Sequence, residues 1–330
     1  MRVSEHLRHC AVFIGHPSEG AFVVEGTGFL VTVDLVDGEF SFTYIVTAAH
    51  IIWPYRKREK LPSSKISLRM SLEDQTSVVI DTDRSEWIFH DDKLIDMCIY
   101  PIDITQYSNL ETTRVVLTSM VPTQDAFNRN LIGLGDEIFI VGAFIGRVGG
   151  RRNIPVVRIG NLAAMAEEPI DFASPRRAAY LIETKSLGGI SGSPVFIDLS
   201  HYSHVHPSAP MWTGKVMQTP YNLLGMVLGA HGGPYLSDFI SESDTDLKSP
   251  DYDFNAGISV VLPAAVIVEF LNTEPMKKAR AIKVEEAKKR SGFRPTSNSL
   301  PSSDENPSHK EDFNRLLNAA AKTPPQDDRT

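Results

Sequence analysis

Short apolar runs separated by turn residues recur from residue 9 to residue 272. They read HCAVFIG, AFVVEGTGFLVTV, FSFTYIVTAA, KISLRMSL, TSVVIDT, DMCIYPI, EIFIVGAFI, PVVRIGNLA, AAYLIETK, SPVFIDL, LLGMVLGA and AGISVVL. That is about a dozen candidate strands of ordinary length. Helical periodicity is confined to short stretches until residues 263–271. Many short strands with glycine and proline turns predict an all-β class, as barrels or a sandwich. Residues 103–133 are longer and mixed, and read as a connector between two β halves.

The pattern changes after Leu271. Residues 274–290, EPMKKARAIKVEEAKKR, are helix-prone and heavily charged with mixed signs, which predicts a short helix with a solvated face. Residues 291–307 are rich in Ser, Pro, Asn and Asp, the composition of a disordered segment. Residues 309–322 could form one more short helix with Phe313, Leu316 and Leu317 on one face, stopped by Pro324 and Pro325. The expected organisation is an N-terminal β unit over 1–115, a C-terminal β unit over 116–272, and a charged, partly disordered tail over 273–330.

Composition narrows the class. The 330 residues are 42% hydrophobic and 22% charged, an ordinary globular profile. A net charge of −8 argues against a nucleic-acid or anionic-membrane surface. Two cysteines, Cys10 and Cys98, are too few for a disulfide framework. The N-terminus lacks an apolar signal region, and no apolar run is long enough for a membrane helix. These points lead to an expected cytoplasmic location.

Candidate chemistry centres on residues 186–196, SLGGISGSPVF. A serine hydroxyl needs a base to take its proton and backbone N–H groups to hold an oxyanion. Gly189 and Gly192 flank Ser191, and glycine permits the positive φ that turns successive N–H groups toward one point. The N–H groups of Gly189 and Ser191 are the expected oxyanion donors. YIVTAAH at 44–50 reads as a strand ending in small residues and His50, a candidate base. IDMCIY at 95–100 reads as a strand in which Asp96 is the one carboxylate, and an imidazole N–H would suit it as partner. Asp91 and Asp92 are nearby alternatives in a polar turn. The order His50, Asp96, Ser191 matches one of the three triad orders known on unrelated folds.

With GTGFLV, VTAAH, DMCIY and GGISGSP in this order, residues 9–271 resemble the trypsin-like serine peptidases, in particular disulfide-poor prokaryotic members. The resemblance implies two six-stranded antiparallel barrels with the site in the cleft between them. It implies an endopeptidase acting through His50, Asp96, Ser191 and an acyl-enzyme, with no cofactor or metal, on a polypeptide substrate. Ile190 stands where the digestive members carry an aspartate, so activation by N-terminal cleavage is not expected. Ser193 replaces a usual glycine, with little expected effect.

The resemblance also assigns substrate contacts. LLGMVLGAHGG at 223–233 matches the strand that offers its backbone to substrate, through Leu228, Gly229 and Ala230. Gly257 matches a pocket wall, and Lys185 a pocket floor that would favour acidic groups, unless that loop differs and Lys185 meets solvent. Alternative readings are a catalytically silent peptide-binding module of the same fold, or an effector whose C-terminal tail recruits a protein partner. HYSHVH at 201–206 lacks a fourth zinc ligand, and GRVGGRR at 146–152 lacks the features of a phosphate or nucleic-acid site and reads as a loop between strands.

Overall fold

The structure, a computed structural model, describes residues 3, 5–18, 21–35, 40–53, 65–107, 109–111, 115–116, 120–128, 131–166, 178–184, 189–199, 221–230 and 257–290. Its strands are β1 (Ala11–Ser18), β2 (Ala21–Asp34), β3 (Ser41–Thr47), β4 (Lys65–Ser71), β5 (Ser77–Asp83), β6 (Ile88–Phe89), β7 (Cys98–Pro101) and β8 (Val115–Val116). They continue with β9 (Glu137–Gly142), β10 (Val156–Ala164), β11 (Tyr180–Glu183), β12 (Pro194–Asp198), β13 (Tyr221–Ala230) and β14 (Ile258–Pro263). Its α-helices include α1 (Ala49–Ile52), α2 (Gln124–Asn128), α3 (Ala264–Leu271) and α4 (Glu274–Arg290), and short 3-10 helices span Glu5–Cys10, Arg84–Glu86 and Ile104–Gln106.

The chain is all-β in class with short C-terminal helices, and its strands sort into two units. The second is a closed six-stranded barrel in the order β10-β11-β14-β13-β12-β9. The first is a half-barrel: an eight-stranded sheet ordered β5-β4-β1-β2-β3-β7-β6, with β8 added parallel to β2. Its two ends approach through side chains, since Trp87 Nε1 donates to Thr82 Oγ1 at 3.0 Å and the Trp87 ring lies 5.3 Å from that of Tyr100.

Burial explains the long apolar runs. In β9, Ile138 and Ile140 face the barrel interior with Ile182, Val195, Ile197, Val227 and Val261. The alternate residues Phe139 and Val141 join a second cluster with Phe196, Met226 and many residues of the first sheet. A strand buried on both faces cannot alternate apolar with polar. The two units therefore share packing, in a cluster that joins Phe139, Val141, Phe196 and Met226 of the barrel to residues of the first sheet.

The seam is also polar. Arg69, on β4 and buried, donates through Nη1 and Nη2 to the carbonyls of Gly149 and Gly150 at 2.8 and 3.0 Å. Asn153 Nδ2 donates back to the Arg69 carbonyl at 2.6 Å. The GRVGGRR loop, between β9 and β10, is thus held against the first sheet.

Helix α4 departs from the expected solvated face. Met276, Arg280, Lys283 and Ala287 are buried, at helical spacing on one side. Met276 and Ala287 join the first sheet's cluster, Arg280 donates to the Leu271 carbonyl at 2.6 Å and bonds Tyr44 on β3, and Lys288 lies over the Phe40 ring. The aliphatic stems of basic residues cover apolar surface, which a charge count misreads as solvent exposure. The proposed helix at 309–322 and HYSHVH lie outside the described residues. Among the described residues no helix is long and apolar enough to cross a membrane, and no three metal-ligating side chains cluster.

Candidate active site

His50 sits on α1, a single turn directly after β3, rather than on the strand itself. The residue before the turn is Ala48, which has no side-chain acceptor for the orphan N–H groups of a helix start. Asp96 supplies one from far along the chain. Its Oδ1 accepts the His50 backbone N–H at 2.8 Å, and its Oδ2 lies 2.5 Å from His50 Nδ1. One carboxylate therefore fixes both the backbone and the ring of His50. Because an ionised carboxylate only accepts, the proton between them belongs to Nδ1, which leaves Nε2 as the basic nitrogen of the neutral ring.

Asp96 precedes β7 instead of lying within a strand. Met97, Cys98 and Ile99 are all buried, so β7 and the residue before it are covered on both faces. The turn is closed by Met97 N–H to the Ile95 carbonyl at 2.8 Å. It leaves the Asp96 side chain 13% exposed beside an imidazole 9% exposed, a largely dry pair. Asp92, the sequence alternative, caps its own turn by accepting from Leu94 N–H at 2.9 Å. Burial, and then the Asp96 charge, push the Cys98 thiol well above its usual pKa, so Cys98 is a packed, protonated filler.

Ser191 lies in the turn that leads into β12 and is partly exposed. Gly189 has φ +97° and Gly192 φ +77°, as the glycine pattern predicts. Gly192 packs too closely for any side chain: a Cβ there would lie 2.0 Å from the Thr27 carbonyl oxygen and 3.1 Å from Ile51 Cδ1. The residue after Ser191 thus abuts the residue after His50, across the seam of the two units. Among the described residues, neither the Gly189 nor the Ser191 N–H donates to another protein group.

The expected substrate strand is β13. Gly192 N–H donates to the Val227 carbonyl at 2.8 Å, and Val227 N–H to the Ser193 carbonyl at 2.9 Å. Pairing with β12 ends at Met226, so beyond Val227 the stretch Leu228–Ala230 has β14 on one side and no described strand on the other. Gly257 has φ +73°, and a Cβ there would meet nothing nearer than 3.9 Å, so backbone conformation rather than crowding calls for glycine. Lys185 lies outside the described residues. Ser193 is fully buried, and among the described residues its hydroxyl has no hydrogen-bond partner.

Sequence reasoning missed Thr27. It read GTGFLV for its glycines, but the central threonine is fully buried and bonded to the Ser191 turn. The only local signal is a polar residue in the middle of an apolar run.

No protein-family model matches the sequence, and a search of curated proteins finds no match. Among solved structures, the chain is similar to the MamO protease domain from Magnetospirillum magneticum in its apo form, at 14% identity and a TM-score of 0.45 over 82% of this chain and 99% of that one. It is also similar to an inactive form of the Rv3671c protease of M. tuberculosis, at 15% identity and a TM-score of 0.40 over 80% of this chain and 88% of that one. Among the described residues, a carboxylate-held histidine of the half-barrel unit and a glycine-turned serine leading into the closed six-stranded barrel stand on either side of the seam.

Proposed function

We propose that the chain is a serine endopeptidase with His50 as base, Asp96 as the group that orients it, and Ser191 as nucleophile. The observation that carries this reading is the double grip of Asp96 on His50, on the element that abuts the Ser191 turn. Ser191 attacks a peptide carbonyl while His50 Nε2 takes the hydroxyl proton. Asp96 stabilises the imidazolium. The N–H groups of Gly189 and Ser191 hold the oxyanion, a contribution worth roughly 100- to 1000-fold in rate per donor. His50 then protonates the leaving amine, and water repeats the sequence to release the acyl group. An extended polypeptide would lie along Leu228–Ala230, where the strand edge supplies backbone donors and acceptors.

A fluorophosphonate probe tests the reading. Wild type is expected to be labelled once, and Ser191→Ala and His50→Ala to remain unlabelled at the same concentration and time. Wild type that stays unlabelled while binding peptides would point to the silent binding module.

A further inference from the structure

We propose that Thr27 is a positioning residue whose hydroxyl holds the Ser191 turn in its working shape; this deepens the peptidase reading and rests on it. On β2, successive residues face opposite sides. Gly26 and Gly28 face the first unit, where a Cβ would lie 2.3 Å from Ile51 Cδ1 or 2.8 Å from Ile45 Cγ2. Thr27 faces the other way, into the seam.

Every polar group of Thr27 is engaged there. Its N–H donates to the Ser191 carbonyl at 2.9 Å, and its carbonyl accepts from Thr47 Oγ1 at 2.8 Å. Its Oγ1 donates to the Gly189 carbonyl at 2.8 Å and accepts from the Ala143 N–H at 2.9 Å. Thr47 lies three residues before His50, and Ala143 follows the barrel strand β9. The Thr27 side chain thus joins the barrel to the nucleophile turn, and its backbone carbonyl ties both to the base-bearing segment.

The two carbonyls it anchors belong to the Gly189–Ile190 and Ser191–Gly192 peptides. The Ser191 N–H, a proposed oxyanion donor, sits in the peptide between them. Fixing the planes on either side fixes its direction. Gly189 has no side chain to resist rotation, so without the Thr27 hydroxyl its peptide is free to turn. A buried N–H at Ala143 would also lose its acceptor.

The test compares Thr27→Val, which keeps the shape and backbone bonds but lacks the hydroxyl, with Thr27→Ser, which restores it. Two readouts are taken: kcat and KM on a short chromogenic peptide, and amide hydrogen exchange over residues 139–146 and 189–196. Valine is expected to lower kcat roughly 10- to 100-fold with KM little changed, since misplacement acts on the reacting geometry. It is also expected to speed exchange in both segments, and serine to restore both readouts. If valine does not fold, Thr27→Cys, a weak donor of similar size, takes its place with the same expectation. Exchange and kcat both equal to wild type in the hydroxyl-free variant would overturn the role of Thr27. Faster exchange in that variant, with wild type itself inert to the fluorophosphonate, would instead sink the peptidase reading and leave the positioning role standing.

Discussion

At the scale of single residues, Asp96 has two acceptor oxygens and uses both on His50. Asparagine has one acceptor oxygen. In Asp96→Asn either the backbone N–H loses its partner or an NH2 group faces Nδ1 and forces the wrong tautomer. The expected loss in kcat is about 10³- to 10⁴-fold at neutral pH, with the fold intact by circular dichroism. Gly192 and Gly257 offer a second comparison, because both have positive φ but only Gly192 is crowded. Gly257→Ala should cost about 1 kcal/mol, the left-handed backbone penalty alone. Gly192→Ala must also displace the Thr27 carbonyl and Thr47 Oγ1, and should cost at least twice that in urea denaturation.

At the scale of elements, α4 places Lys283 at 9% exposure, and burial lowers its pKa from the ordinary 10.5 to about 8, against a smaller upward pull from Glu286. The folded state then binds fewer protons than the unfolded chain between these values, so stability rises with pH there. The penalty is fully present below pH 8 and fades as lysine neutralises in both states toward 10.5. Lys283→Met should therefore be the more stable protein at pH 7, and its advantage should shrink between pH 8 and 10, each pKa unit being worth about 1.4 kcal/mol. Urea midpoints across that range check it; an advantage constant with pH would contradict the burial account. The same helix shows why its role was illegible locally. Its residues are charged along most of their length, and only the i, i+4, i+7, i+11 face is covered.

At the scale of the whole molecule, the two units are joined by shared apolar packing, by Arg69 on the 149–150 carbonyls, and by Thr27. Helix α4 belongs to this body, whereas residues 291–330 lie beyond it in sequence. Deleting 291–330 should leave the thermal midpoint and fluorophosphonate labelling unchanged. Deleting 274–330 should lower the midpoint sharply, because it uncovers the Tyr44 and Phe40 surface. Loss of a binding partner in pull-down on the shorter deletion alone would mark the terminal segment as a docking element. Equal midpoints for both deletions would remove α4 from the cooperative unit.

The sequence by itself determined the all-β class, the strand series and the chain order of His50, Asp96 and Ser191, because side-chain period and turn chemistry are local properties. It also marked Gly189 and Gly192 as positive-φ positions, for the same reason. Tertiary structure decided which aspartate serves His50, that a mid-strand threonine faces the seam, that the charged helix packs, and that the first unit is a half-barrel beside a closed one. The bonds that make those choices span 46 residues from His50 to Asp96, 116 from Thr27 to Ala143 and 162 from Thr27 to Gly189. No local pattern encodes a partner so distant; the partner is selected only when two sheets bury their shared face and a polar group left inside is costly without an acceptor or donor.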